Sequence, residues 1–349
     1  KTNMHINVVK GYNLPKTVNE NTLVVTISIS GNTNETNTVL ETASKLNCKL
    51  IAFSSGGKME KFCKDKNIEY RKIKKFHSPR ASFPSFLFSI LNILSPIIPI
   101  PEKDIQETLN KMQDVKKLIS VKNNSENNLA MSLAKWISDI PLIYYPWGLE
   151  CVAIRFKSSL QENSKTHVII EDIVESCHNG VVAWEKKSTI KPIMIRGDDD
   201  HFRTAEKYKI LSEYFDGEKI DYKQVFSGNG NILTKIISLI YILDYVTIYK
   251  SILEGIDPTP VKTIDAGIAL VPEERRTQGI FTLLTIKHNI PVMNMKKITS
   301  SGLINTAKER EVSKEYIGKL NVKTDSMEKE TAKLSGGNQQ KVVFSKCLF

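Results

Sequence analysis

The chain has 349 residues, 41% of them hydrophobic and 25% charged, which excludes collagen-like, mucin-like and wholly disordered chains and allows two domains and part of a third. Its net charge of +11 comes from scattered lysines with no dense basic block interleaved with aromatics, so no nucleic-acid partner is expected, while small phosphorylated anions would be attracted. Cys48, Cys63, Cys151, Cys177 and Cys347 form no C-x-x-C pair, which fits neither a disulfide framework nor a zinc knuckle and points to a reducing, cytoplasmic setting.

In chain order, Leu23 to Ile29 is a β-branched run, followed by the polar turn Ser30-Gly31-Asn32-Thr33 and a segment with apolar positions Val39, Leu40, Ala43 and Leu46: strand, loop, helix. Lys49 to Phe53 leads into Ser54-Ser55-Gly56-Gly57 and another helical stretch, and a third run lies at Tyr70 to Ile73. This alternation predicts a parallel sheet with helices on both faces within residues 1–95. The longest apolar stretch, Phe86 to Ile100, is interrupted by Asn92, Ser95, Pro96 and Pro99 and is too short to span a membrane, so no membrane insertion is expected.

Residues 96–128, with prolines, a helical charge pattern from Lys103 to Lys117 and a polar cluster from Asn123 to Asn128, read as a connector. Within residues 129–265 the alternation resumes: strands at Ile140 to Tyr145, Pro192 to Arg196 and Tyr222 to Phe226, helices at Leu149 to Leu160 and His201 to Phe215. A long helix follows from Asn231 to Leu253, with Ile236, Ile240, Leu243 and Thr247 on one face. The expected fold is α/β, two doubly wound αβα sandwiches, followed over 266–349 by a module of different character. In that module Gly267 to Val271 reads as a strand and Lys308 to Leu320 as a helix.

The turn from Ser28 to Thr33 lies between a strand end and a helix start, where free main-chain N–H groups favour an anion, and Ser28, Ser30 and Thr33 add hydroxyl donors. Composition alone leaves ordinary N-capping equally open. Leu23 to Thr36, Ser54 to Gly57, Ser78-Pro79-Arg80-Ala81, Gln161-Glu162-Asn163-Ser164-Lys165, His178-Asn179 and Gly255 to Pro260 occur here in an order that resembles the bifunctional phosphoglucose/phosphomannose isomerases with sugar isomerase (SIS) domains. The resemblance covers about residues 1 to 265 and implies two SIS domains per subunit, a homodimer and a sugar phosphate substrate.

Aldose–ketose isomerisation needs a base to move a proton between carbons 2 and 1 and an acid/base to open the ring; a carboxylate and an imidazole suffice. The resemblance implies Glu162 as base, His178 as the ring-opening group supplied across the dimer interface, Arg80 as the guanidinium that stabilises the enediolate, and phosphate held at Ser28, Ser30 and Thr33. Taken singly, Glu162 reads more readily as a solvated helix carboxylate than as a base, and His178 reads equally as a surface or capping histidine. The family's glycine-rich loop has no counterpart before Ser28 and its terminal lysine has none after Ile264-Asp265, so the first SIS domain is expected to be truncated at its N-terminus, and a sugar-phosphate-binding module without catalysis is the alternative reading.

No cofactor or metal is expected: the histidines His5, His77, His167, His178, His201 and His288 show no i, i+4 pairing, and Asp198-Asp199-Asp200 reads as a solvated turn or helix cap. In 266–349, Leu334-Ser335-Gly336-Gly337-Asn338-Gln339-Gln340-Lys341 resembles the ABC transporter signature, and Gly267 to Gly279 resembles the second ATPase half of sugar-import ATP-binding subunits, which work with a membrane permease. On that resemblance Ser335, Gly336, Gly337 and Gln339 belong to the signature, whose loop opens a helix toward the terminal phosphate of ATP. No G-x-x-x-x-G-K-[ST] loop exists in the sequence, and Tyr241-Ile242-Leu243-Asp244 imitates the strand that ends in Asp-Glu but sits on the long helix. The change of family at Asp265 to Gly267 reads as a join between two partial sequences, with an ATP-binding subunit fragment as a third reading of the chain.

Overall fold

The alternation of strands and helices builds two parallel sheets in a computed structural model that describes residues 4–123, 127–259, 280–300 and 303–349. The strand expected at Gly267 to Val271, the segment Pro272 to Arg276 and the change of family at Asp265 to Gly267 lie outside the described residues. The chain divides into one compact unit ending at Pro258 and a second beginning at Thr259.

In the first unit, β1 (Leu23–Ser28), α1 (Asn34–Ala43), β2 (Lys49–Ser54), α2 (Gly57–Asp65) and β3 (Glu69–Lys72) alternate, and the strands pair in parallel in the order β1-β2-β3. Side chains on successive strand residues point to opposite faces, so β2 divides its residues between two layers. Ala52 packs with Leu40 of α1 and with Met59 and Cys63 of α2. Ile51 and Phe53 pack on the other side against Phe86 and Ile90 of α3 (Phe83–Ile93). Helices thus cover both faces, as a parallel sheet requires.

The second sheet is built from β4 (Pro141–Tyr145), β5 (Ile169–Asp172), β6 (Lys191–Arg196) and β7 (Lys223–Phe226), all parallel in the order β5-β4-β6-β7. Its helices are α4 (Glu102–Ile119), α5 (Leu129–Trp136), α6 (Glu150–Asn163), α7 (Ile173–Ser176), α8 (Phe202–Gly217) and α9 (Ile232–Leu253). Ile143, Ile193, Ile195 and Val225 face a layer made by α5, α6, α9 and the last turns of α4. Leu142, Tyr144 and Met194 face Ile173, Trp184, Tyr208, Leu211 and Phe215. The stretch 96–128 contains α4, whose Val115 and Ile119 are buried in this core and whose Thr108 hydroxyl lies 2.9 Å from that of Thr234.

α9 is long and apolar enough to cross a membrane by length and composition, yet most of it is buried, packed by α4, α5 and α6. That threefold packing explains why its buried positions, including Ile237, Leu239, Ile240, Leu243 and Val246, do not form the single stripe read from the sequence.

Between the sheet and α8, Tyr144 is wholly buried and its hydroxyl accepts a hydrogen bond from Trp184 Nε1 at 2.8 Å. Burial pushes the Tyr144 phenol up to about 12, so it stays neutral. Tyr144→Phe leaves the buried indole N–H without that acceptor and is expected to lower stability by about 1–2 kcal/mol. Urea unfolding measures this; an unchanged midpoint would mean the indole finds another acceptor.

The second unit contains α10 (Ile286–Asn289), the short antiparallel pair β8 (Thr299–Ser300) and β9 (Leu303–Ile304), α11 (Thr306–Lys319) and α12 (Gly336–Leu348). Ile286, Ile290, Ile298, Val312, Val342 and Val343 form its core. Asn289, fully buried, ties three chain segments together: its Oδ1 accepts from the Phe281 N–H at 2.8 Å and its Nδ2 donates to the Leu284 carbonyl and the Thr331 hydroxyl. All five cysteines are free.

Candidate active site

Ser28 ends β1, and its buried hydroxyl accepts from the Gly31 N–H at 3.0 Å while meeting the Thr33 hydroxyl at 2.8 Å. Whichever of the two hydroxyls donates, one proton of the pair remains available. Ser30 Oγ accepts from the Asn32 N–H at 3.1 Å, which uses a lone pair and leaves its proton unspent. Thr33 is the N-cap residue of α1 but makes no side-chain cap bond, so the first-turn N–H groups keep their capacity for an anion. The hydroxyls thus take part in local turn bonds, as capping residues do, and retain protons that an anion at the turn could accept.

A second loop braces this turn. Ser55 Oγ donates to the Ile29 carbonyl at 2.6 Å, the Met59 N–H to the Gly31 carbonyl at 2.9 Å and the Lys58 N–H to Asn32 Oδ1 at 3.0 Å. The approach is so close that a Cβ on Gly31 would fall 1.8 Å from the Gly56 carbonyl oxygen. Gly31 also has φ +71°, in the left-handed region that favours glycine.

Arg80 lies on the loop that follows β3, in a short 3-10 turn; like the Ser28–Thr33 turn after β1, that loop leaves from the carboxyl ends of the parallel strands, although β1 and β3 are opposite edges of the sheet. Glu162 stands in the last turn of α6, within the second sandwich. The fold joins them: Arg80 Nε is 3.0 Å from Glu162 Oε2. The Glu162 side chain remains 49% exposed, so its carboxylate can meet a ligand, whereas Arg80 at 22% is more enclosed. Arg80 Nη1 also donates to Asn163 Oδ1 and, at 3.2 Å, to the Pro258 carbonyl. A carboxylate beside a fixed guanidinium can accept a proton from carbon while the cation faces developing negative charge.

His178 is placed differently. It follows α7 on an exposed turn, with its main-chain N–H bonded to the Glu175 carbonyl at 3.0 Å. Among the described residues its ring makes no hydrogen bond or ion pair with Arg80 or Glu162. Two of the three consecutive aspartates have structural partners: Asp199 pairs with Lys235, and Asp200 accepts from the Gly197 N–H at 3.1 Å and meets Arg196 at 3.4 Å. Among the described residues no group of three His, Cys, Asp or Glu side chains is arranged to hold a metal ion.

In the second unit Ser335 is the N-cap residue of α12, accepting from Asn338 Nδ2 at 3.0 Å, and Gly336 and Gly337 form the first turn. Gln339 is fully buried and its amide donates to the main-chain carbonyls of Thr331 at 3.1 Å and Ala332 at 3.3 Å. Its side chain thus secures the turn before the helix.

Asn163 has only a place in a sequence motif, Thr247 only a place on one face of the long helix and Asp244 only a place in a segment that imitates an ATPase strand, while nothing in the sequence singles out Arg155 or Ser159. Their link to Arg80 depends on helices that meet only in the folded chain.

Paired parallel sandwiches are the architecture of SIS-domain proteins of the phosphosugar isomerase class, to which this chain is similar in sequence and fold. Residues 126–266 match the family model described as bacterial phospho-glucose isomerase C-terminal SIS domain. The fold is similar to that of tagatose-6-phosphate ketose/aldose isomerase from Escherichia coli, with a TM-score of 0.55 at 12% identity over 69% of this chain and 71% of that one. The chain is 32% identical over 278 residues to the bifunctional phosphoglucose/phosphomannose isomerase of Caldicellulosiruptor bescii, covering 76% of this chain and 80% of that protein, and it belongs to that family. A shorter stretch of 91 residues is 43% identical to the ribose import ATP-binding protein RbsA of Caldanaerobacter subterraneus, which is 26% of this chain and 18% of that protein.

Proposed function

We propose that this protein interconverts glucose 6-phosphate and mannose 6-phosphate with fructose 6-phosphate by proton transfer through an enediol. The observation that carries the reading is the 3.0 Å pairing of Arg80 with Glu162, two side chains from different sandwiches. Glu162 takes the proton from carbon 2 of the aldose phosphate and, after exchange of that proton with solvent on its carboxyl group, protonates carbon 1, while Arg80 stabilises the oxyanion of the enediolate without a metal. The hydroxyls of Ser28, Ser30 and Thr33, with the N–H groups at the start of α1, take the phosphate. His178 opens the sugar ring from a neighbouring copy in a homodimer; its exposure after α7 supports that role.

A coupled assay of the full chain with each aldose phosphate tests this, and fructose 6-phosphate is expected from both. Arg80→Lys keeps a positive charge but not the planar fork that meets Glu162, Asn163 and the Pro258 carbonyl together, so kcat is expected to fall by about 10- to 100-fold. An unchanged kcat in Arg80→Lys would remove Arg80 from the proposed chemistry.

A further inference from the structure

Arg155, Ser159 and Asn163 lie at i, i+4 and i+8 on α6 and form one polar strip along the helix. It packs on Asp244 and Thr247 of α9, beside the apolar residues that α6 and α9 give to the core. Arg155 donates through Nε and Nη2 to the Asp244 carboxylate at 3.1 and 2.8 Å, and Ser159 Oγ donates to Asp244 Oδ1 at 2.9 Å. Arg155 Nη2 also donates to the Arg80 carbonyl at 3.2 Å, and the guanidinium stands 4.7 Å from the centre of the Phe83 ring. One end of Arg80 is therefore tied to α9 through an ion pair.

The other end is tied through an amide whose orientation follows from proton accounting. Thr247 Oγ1 gives its single proton to the Asp244 carbonyl at 2.7 Å. It can then only accept from Asn163, and it does so from Nδ2 at 2.8 Å. With Nδ2 committed to Thr247, Oδ1 is the face of the amide turned to Arg80. A reversed amide would set N–H groups against the guanidinium. Both Asn163 and Thr247 are buried, so water does not readily substitute for the missing bond.

We propose that Asn163 and Thr247, backed by the Arg155–Asp244 pair, are positioning residues that hold the Arg80 guanidinium at the carboxylate of Glu162. The inference rests on the proposed isomerase function, in which Arg80 faces the enediolate. It also gives a role to Asp244, whose sequence context imitates an ATPase strand but whose carboxylate is bonded to Arg155 and Ser159.

The test compares wild type, Thr247→Val, Thr247→Ser and Asp244→Asn in the full chain. Valine keeps the shape of threonine without its hydroxyl, and serine restores the hydroxyl. The Arg80 Nε–H resonance, assigned by its loss in Arg80→Lys, is expected at one position in wild type and Thr247→Ser and to shift or broaden in Thr247→Val and Asp244→Asn. In the isomerase assay kcat is expected to fall about tenfold in Thr247→Val with KM within about twofold, and to recover in Thr247→Ser. A merely structural role would lower thermal stability without that recovery of kcat or movement of the Arg80 signal. An Arg80 resonance unmoved in Thr247→Val overturns the positioning inference whatever the activity; Asp244→Asn supplies the same reading if the valine variant does not fold. Absence of isomerisation by the wild type overturns the functional proposal instead, and the resonance alone then decides the positioning.

Discussion

Replacing Glu162 by glutamine is expected to lower kcat for both aldose phosphates by about 10³-fold, the scale of a lost general base. Glutamine is nearly the same size and still accepts a hydrogen bond from Arg80, but it cannot take a proton from carbon. The effect should fall on kcat rather than KM, because the proton is in flight only in the transition state. Stability should change little: the Arg80–Glu162 pair is half exposed on its acidic side, and such pairs contribute at most about 1 kcal/mol. Steady-state kinetics with urea unfolding on the same preparations separates the two. A Glu162→Gln enzyme within threefold of wild-type kcat would place the base elsewhere.

The largest effect on folding is expected at Gly31. A methyl group there would lie 1.8 Å from the Gly56 carbonyl oxygen and 2.9 Å from Ser54 Oγ, and the residue has φ +71°. Both the conformation and the contact oppose alanine, and the obstructing atom belongs to main chain that cannot rotate aside. Gly31→Ala is therefore expected to destabilise the protein by about 3 kcal/mol or more, as backbone-strain substitutions do. The two loops must part to admit the methyl group, which breaks the bonds from Met59 N–H to the Gly31 carbonyl and from Lys58 N–H to Asn32. Affinity for inorganic phosphate should fall with stability, since the same turn presents the hydroxyls. Urea unfolding and phosphate titration of Gly31→Ala measure this; a wild-type midpoint would show that the loops are not in close contact.

The strands that carry their own period were legible in the sequence. β1, β2, β4 and β6 appear within a residue or two of the expected runs: β2, β4 and β6 are covered on both faces and leave short apolar runs, and β1 carries the β-branched residues Val24, Val25, Thr26 and Ile27. β5 was missed. It has four residues at the edge of its sheet, Ile169 is 41% exposed, and the strand ends in Glu171-Asp172, so neither length nor hydrophobicity marks it. α5 was missed as well, because its eight residues give too few turns for a helical period to stand out.

Within the site, local signals and long-range ones part in the same way. The hydroxyls of Ser28, Ser30 and Thr33 are adjacent in sequence and announce their turn. The resemblance to a family named Arg80 and Glu162 separately, and their pairing is visible only in the folded chain, since nothing in composition or spacing brings the β3–α3 loop to the end of α6. The strip Arg155, Ser159 and Asn163 has helical spacing, but its partners on α9 become visible only when the helices pack. Asp244 shows the same division: its sequence context sets it on the long helix and not in an ATPase strand, but only the packed helices show it as the partner of Arg155.

The most direct test of the proposed chemistry follows hydrogen itself. Fructose 6-phosphate is incubated with the full chain in deuterated water and the products are read by NMR. Proton transfer through an enediol predicts deuterium at carbon 2 of glucose 6-phosphate and mannose 6-phosphate, appearing with wild type and lost with Glu162→Gln. Isomerisation without any deuterium entering the products, or entry at the wild-type rate in Glu162→Gln, would contradict it.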